Sequence, residues 1–599
     1  MRRMILIFLF PFLFLVSCQK APSEENSLIT VSLVESPGIT VKENGIHVKP
    51  GEDAAFYLAL SPGFSITGVD YEGEYRLENG EEYASLTLCA VSYPVRVKVE
   101  LSSEYKQITY HANGGVFPGT REGDCLAVSY STKVHKRPNT LAGVGVPERP
   151  GYTLLCWNTK SDGSGVRVGI GSRVTVEGLA LDLYAQWEAW TPGECFTTEI
   201  RTKWDGLAEP EAGLCITSCQ GLSEKLVIPA EIDGTPVRGI ARGAFQNQDF
   251  TEVVLPASLY GVEERAFFSC PALREVVLYD NILTIHDGSF FDCKALQTLR
   301  INALEAPYGT FFRRESAYAD KVDLLIQAQG QKKMVFYSGC SAWYNLDSLL
   351  IKEAFGQEYA IVNMAMNGTI NSFVQMEILE QFLEEGDVFI HTPELTSSRQ
   401  LLSDLTMDDG DDKLWCGLEY NYDLFSLVDL RSVSGVFDSL ILYLQKKDKE
   451  GSYTDYYTDS QGRVYMDDIG GIPFMREETM EYLSDEVYLD PEQLRWTDFS
   501  NLTDMYRRYT ARGVTVLLSY AAVNLDGVPD EQQGAAPEMD KLFHLIVRQM
   551  RGPVLISSLE DFLYHRDDFY DTNYHLRSGA AAVNTQTWIH DIRERMGQD

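Results

Sequence analysis

Positive charge is scarce in this chain: 51 lysines and arginines stand against 87 aspartates and glutamates, a formal net of −36. A protein this acidic gains nothing from releasing counterions off a phosphate backbone, so no nucleic acid is expected among its partners. The self-repelling surface suits instead a soluble face held outside a cell. Long hydrophobic runs are missing too. The one apolar stretch, Met4 to Val16, is interrupted by Pro11 and falls well short of the roughly 20 residues that cross a bilayer as helix. Cysteine is thin, eleven in 599 residues, too few for a disulfide scaffold. Cys89, Cys125, Cys156, Cys195, Cys340 and Cys416 follow no pattern. Cys215 and Cys219 share a C-x3-C spacing without neighbouring histidines, so buried or paired thiols are expected there rather than zinc. No metal and no cofactor is implied. What is present is ordinary globular composition, 44% hydrophobic and 23% charged, which excludes a wholly disordered chain. The length corresponds to roughly four domains.

The start of the chain gives an address. Arg2 and Arg3 precede the apolar run, as in a secretory signal. The run ends Leu15-Val16-Ser17-Cys18, which resembles the lipobox of bacterial lipoproteins. That resemblance implies a signal peptide over 1–18, cleavage before Cys18, lipidation of its thiol and a partner in the membrane through that anchor. Two or three acyl chains exceed the single-chain case, whose membrane binding is only marginal. The expected location is the outer face of a bacterial cell membrane. Residues 19–26 are polar and read as a tether.

Between the tether and residue 305 three β-rich modules are expected. In 27–105, short runs such as Val95-Arg-Val-Lys-Val-Glu-Leu alternate with period two and are split by turn residues, which predicts a β-sandwich. In 106–189, Thr109-Tyr-His-Ala-Asn-Gly-Gly, Arg149-Pro-Gly-Tyr-Thr, Trp157-Asn-Thr-Lys-Ser-Asp-Gly-Ser-Gly and Leu183-Tyr-Ala-Gln-Trp resemble one Listeria–Bacteroides repeat of the internalin B-repeat type. Tyr152, Trp157, Tyr184 and Trp187 would form its small core; a carbohydrate-binding use of the same rings is the other reading. In 190–305, Ala244-Phe245, Ala266-Phe267 and Ser289-Phe290 recur at steps of 22 and 23, and Val253-Val-Leu255, Val276-Val-Leu278 and Leu299-Arg-Ile301 at steps of 23. Residues i and i+2 of a strand share a face, so Val253/Val276/Leu299 and Leu255/Leu278/Ile301 should stack as two inner ladders of a short solenoid of about four coils. Val277, of opposite parity, should face out. The wording resembles BspA-like leucine-rich repeats, and Cys270 and Cys293 fall one coil apart as buried thiols. Such repeats serve either as a surface for a protein ligand or as a rigid spacer.

From 306 to 599 the pattern turns to short apolar strands alternating with amphipathic stretches, which predicts an α/β domain with a parallel sheet covered on both faces, interrupted by an insertion at about 403–498. Ligands in such sheets bind beyond the carboxyl ends of the strands, so the residues that follow each strand carry the interest. The first strand ends at Ser338-Gly339-Cys340-Ser341, the second at Asn363-Met-Ala-Met-Asn367-Gly368 and the third at His391-Thr392-Pro393-Glu394; Asp571 and His575 come late. A serine hydroxyl needs a base to become a nucleophile, and a carboxylate can fix the tautomer of a histidine base. Ser341, His575 and Asp571 supply those three roles. The backbone N–H groups of Ser341 and Gly368 would receive an oxyanion, and Glu394 would face the pocket. His391 reads equally as a buried, bonded residue. Asp408 to Asp412 reads as a solvated acidic loop rather than a calcium loop, and Tyr453, Tyr456, Tyr457 and Tyr465 as cover for the sheet.

This arrangement resembles the SGNH (GDSL-like) hydrolase superfamily. Gly339-Cys340-Ser341 stands in the place of its Gly-Asp-Ser, Gly368 in that of its second block and Asp571/His575 in that of its last. Two departures stand out. The third-block asparagine of the oxyanion hole is replaced by Thr392-Pro393-Glu394, for which Asn367 could stand in, and the Asp–His interval is four residues instead of three. The resemblance implies a serine-dependent acyl-ester hydrolase or O-acyltransferase acting on an extracellular or cell-wall glycan ester. The competing expectation is an adhesion protein whose terminal domain is a catalytically degenerate scaffold.

Overall fold

The computed structural model describes residues 28–597 apart from the segments 35–38, 61–63, 81–82, 132–144, 205–210, 305–316, 367–370, 395–411, 419–420, 447–465, 473–490 and 495–498, and the positions 104, 173, 175, 177, 222, 287, 434, 493 and 531. Cys18, Asn367, Gly368, Asp408 and the four insertion tyrosines lie outside the described residues. The chain is multidomain and β-rich, and it divides into two compact units. The first holds residues up to 109 with 127–135 and 176–181; the second holds the rest.

The first unit is built on two four-stranded sheets. One has the order Ile46–Val48, Ile29–Leu33, Val95–Ser103, Phe64–Asp70; the other has Ile39–Val41, Glu52–Leu60, Tyr83–Val91, Tyr75–Asn79. Period-two sequence does the work here. In Glu52–Leu60 every second side chain (Ala54, Phe56, Leu58, Leu60) is buried while those between stay in or near solvent, and Val31, Leu33, Val97 and Val99 of the other sheet close the same core.

In the second unit, Tyr152–Asn158 pairs antiparallel with the strand that ends at Ala189. Trp157 is fully buried, with Tyr110 set edge-on at 5.0 Å between ring centroids and Phe117 stacked at 6.4 Å. Tyr184 stacks on His111, and Trp187 Nε1 donates to the Ala112 carbonyl at 2.9 Å. These rings are committed to the module's own packing.

Next, the strands Lys225–Val227, Glu252–Val254, Glu275–Tyr279 and Thr298–Asn302 form a parallel ladder. Val253, Val276 and Leu299 lie in register, as do Leu278 and Ile301, all in one core. Phe245, Phe267 and Phe290 stack at 5.0 and 4.9 Å. Asn247, Ser269 and Asp292, one per coil, take left-handed backbone conformations at φ 58°, 55° and 61°. Short polar side chains tolerate that region best, which explains their return at the same point of each turn. The Cys270 and Cys293 thiols are unbridged and donate to the Phe245 and Phe267 carbonyls of the preceding coil.

Val277 corrects the parity argument. It is buried, and with Val227 and Val254 it forms a cluster under Leu155 and Trp190 of the preceding module. The strand face expected to be open is covered by a neighbour. Tyr279 Oη bonds to the Leu154 carbonyl, and Asn302 Nδ2 donates to the Leu155 carbonyl at 3.2 Å. The insertion also reaches back. Asp423 accepts from Arg167, from the Gly169 N–H at 2.6 Å and from Ser172 Oγ at 3.2 Å, while Phe437, on the helix Val436–Lys446, stacks on Phe290 at 4.6 Å.

The last domain carries a five-stranded parallel sheet ordered Ala360–Asn363, Lys333–Tyr337, Val388–His391, Thr515–Leu518, Val554–Leu555. Its strands are short and apolar because they are buried on both faces; all five residues of Lys333–Tyr337 are inaccessible. In sequence terms the order is 2-1-3-4-5, so the direction of winding reverses between the first and third strands, and the crevice beyond their carboxyl ends is the expected ligand position.

Candidate active site

Three hydrogen bonds gather the strand ends at that switch point. The Ser338 hydroxyl donates to the Thr392 carbonyl at 2.6 Å, the Thr392 N–H to the Tyr337 carbonyl at 3.0 Å, and the Met366 N–H to the Ser338 carbonyl at 3.3 Å. Gly339 then turns the chain into the short helix Cys340–Asn345, and Ser341, its second residue, is fully buried.

Ser341 meets Glu394. Its hydroxyl donates to Glu394 Oε1 at 2.6 Å, and its N–H donates to the same oxygen at 3.0 Å. A Cβ on Gly339 would stand 2.6 Å from that oxygen and 2.8 Å from its carbon. Gly339 has an ordinary φ of −67°, so glycine is needed there for space and not for conformation. No hydrogen bond joins Ser341 to His575.

Asp571 and His575 do come together, with Oδ1 and Nδ1 2.7 Å apart. The four-residue interval succeeds because the loop folds back on itself. Phe569 and Leu576 form an antiparallel bridge, and the Tyr570 N–H donates to the His575 carbonyl at 2.8 Å. The imidazole then lies flat on Tyr344, centroids 3.6 Å apart and planes 7° from parallel. Asn345 holds the backbone on both sides of it: its Nδ2 donates to the Tyr574 carbonyl at 2.9 Å and its Oδ1 accepts from the Leu576 N–H at 2.8 Å. Tyr344 and Asn345 were missed from sequence, although Asn345 sits four residues after Ser341, one helical turn along the same face.

Two further buried groups brace the strand ends. Lys321, on the helix Ala317–Gln327, spends its three protons on the carbonyls of Asn363 (2.9 Å), Ala365 (2.6 Å) and Gly470 (2.7 Å), with the Trp343 ring 4.5 Å away. Burial pushes its pKa well below the usual lysine range, against a weaker opposing pull from Asp467. His391 sits 2.5 Å from the Tyr506 hydroxyl, and burial pushes it down to about 3, so it is a neutral, bonded core residue at physiological pH.

Residues 238–337 match the family described as BspA type leucine rich repeat region, in six copies. The chain is similar to the solved leucine rich repeat protein of T. pallidum at 23% identity, covering 18% of this chain and 70% of that one with a TM-score of 0.14. It is also similar to a leucine rich cell surface protein from Faecalibacterium prausnitzii A2-165 at 16% identity, covering 35% of this chain and 48% of that one, about half its length, with a TM-score of 0.15. No curated protein matches the chain. Among the described residues no helix is long and apolar enough to cross a membrane.

Proposed function

We propose that this leucine-rich repeat protein is displayed at a bacterial cell surface through a lipidated Cys18, and that its C-terminal domain performs serine-dependent acyl-ester chemistry. The observation that carries the reading is the Asp571–His575 pair, bonded at 2.7 Å and stacked on Tyr344 of the same six-residue helix that bears Ser341. Ser341 Oγ attacks the ester carbonyl while its proton passes to His575 Nε2, and Asp571 supports the imidazolium. The ester C–O bond then breaks, the leaving oxygen takes that proton, and an acyl-serine remains. Water resolves it in a hydrolase, and a sugar hydroxyl resolves it in an O-acyltransferase; an extracellular or cell-wall glycan ester fits the proposed location. Gly368 and Asn367 are proposed as further oxyanion donors, with the Ser341 N–H.

A second reading is favoured by a specific contact. Both donors of Ser341 are engaged by one carboxylate oxygen of Glu394, as a scaffold that no longer turns over would allow; the protein would then act by binding alone, with the repeats as its surface for a protein ligand. One experiment separates the two. The full chain is treated with an alkyl fluorophosphonate and the adduct is mapped. A single adduct on Ser341, lost in His575→Ala, supports the acyl-transfer reading, and a chain that stays unmodified under conditions that label a control esterase sinks it.

A further inference from the structure

Glu394 is the group at this site whose presence the serine mechanism does not require. It is 6% exposed. Among the described residues no lysine, arginine or histidine lies within ion-pair distance of it, although 23 other acid–base contacts of this kind are present. A buried carboxylate is normally neutralised by a cation of its own. Here the protein supplies three neutral donors, the hydroxyl and N–H of Ser341 and the Cys340 thiol at 3.8 Å, and leaves room for the carboxylate by placing glycine at 339. A negative group in this position also opposes an oxyanion forming on the Ser341 N–H, since like charges at such range repel strongly in a dry site.

From this geometry we infer that Glu394 is a specificity-determining residue that selects acyl esters bearing an ammonium group next to the reacting carbonyl, the α-aminoacyl esters. The inference rests on the serine reading proposed above. A nucleophile and its target carbon approach to about 3–3.5 Å, and an ammonium–carboxylate bond spans about 2.7–2.9 Å. With Glu394 Oε1 2.6 Å from Ser341 Oγ, a cation can reach the carboxylate while sitting one carbon from the carbonyl that faces the serine. The ammonium draws the carboxylate onto itself, and both donors of Ser341 are released: the hydroxyl turns to His575 and the N–H becomes free for the developing oxyanion. A neutral or anionic ester has to displace Glu394 from Ser341 without that help, and reacts more slowly. Selection thus comes from a contact that must be exchanged before chemistry, as well as from attraction.

The test compares two fluorophosphonates of matched size on the full chain, one with a primary ammonium one carbon from phosphorus and one with a methyl group in its place. The rates of adduct formation at Ser341 are followed by mass spectrometry. The ammonium probe is expected to react at least about ten-fold faster, and Glu394→Gln should bring the ratio to about one. A low ratio in the native chain rejects the inference by itself; a high one is assigned to Glu394 by the variant, with Glu394→Leu as the second variant should Glu394→Gln not fold. A native ratio of one or less, as expected if Glu394 merely caps the helix of Ser341, overturns the inference and leaves the serine reading standing. A high ratio that survives both variants also overturns it. No adduct with either probe overturns the serine reading first, and the inference falls with it.

Discussion

The solenoid and the α/β domain are both built on parallel strands, but they hold them in different ways. In the solenoid each residue meets its own counterpart one coil away: Val253 meets Val276, Val276 meets Leu299, and Phe267 lies between Phe245 and Phe290. Every contact is made several times, and a cysteine thiol or a left-handed turn recurs with it. In the α/β domain the decisive contacts are made once. Lys321 gathers three carbonyls, Glu394 holds Ser341, and Asn345 reaches residues more than 200 positions away. Repetition spreads load over many equivalent groups, whereas a contact made once concentrates it and can also be exchanged. Chemistry needs the second kind.

That contrast can be broken at either end. The largest effect should come from His575→Ala, which removes the proposed base and should slow fluorophosphonate labelling of Ser341 by about 10²–10⁴ at a temperature where the variant is still folded; equal labelling in the variant would remove His575 from the mechanism. Lys321→Met leaves three buried carbonyls without their donor. At about 1–3 kcal/mol each, the α/β domain should lose about 4 kcal/mol or more in denaturant unfolding, and a loss below about 1 kcal/mol would show that water replaces the ammonium. In the solenoid, Leu278→Ala should cost about 3 kcal/mol. Val277→Ala removes two methyl groups from the seam with Leu155 and Trp190 and should cost about 1.5 kcal/mol; no loss there would mean that the seam opens in solution.

The smallest expected effect is acid sensitivity. Burial pushes His391 down to about 3 from an ordinary 6.5, so below about 6.5 the unfolded chain binds a proton that the folded chain refuses. This group's contribution is therefore intact above that value and is lost as pH falls toward 3, by about 1 kcal/mol between pH 7 and 5.5. His391→Gln, which can still bond Tyr506, should flatten that part of the stability–pH curve, and an unchanged slope would assign the acid sensitivity to other groups.

What was legible in the sequence follows the same division. The ladders could be read because Val276 repeats Val253 at a fixed step, and the sheet because its strands are short unbroken apolar runs. The Asp571–His575 contact was harder, since it depends on a bridge between Phe569 and Leu576 that no spacing rule anticipates. Glu394 could be assigned to the pocket by its place after a strand, but its bond to Ser341 crosses 53 residues and leaves no periodic trace. Val277 failed for another reason. Alternation tells which side chains share a face but not what covers that face, and the second face meets Leu155 and Trp190. The same blindness hid Asp423, whose partners Arg167, Gly169 and Ser172 belong to a different module.

One ring has a consequence for the length of the whole assembly. A column of stacked aromatics has no natural last member: the exposed side of Phe290 would seat one more coil, or the corresponding ring of a second molecule, equally well. Phe437 fills that seat at 4.6 Å from outside the repeat, so end-on growth into filaments is closed at this terminus. It also fixes the tally of coils. In a free-standing ladder a repeat can be gained or dropped with little penalty because each one touches only its neighbours. Here an added coil would part Phe290 from Phe437 and pull Asp423 away from Arg167 in the same movement. Repeat number, a loose variable in most solenoids, is in this protein set by its C-terminal domain.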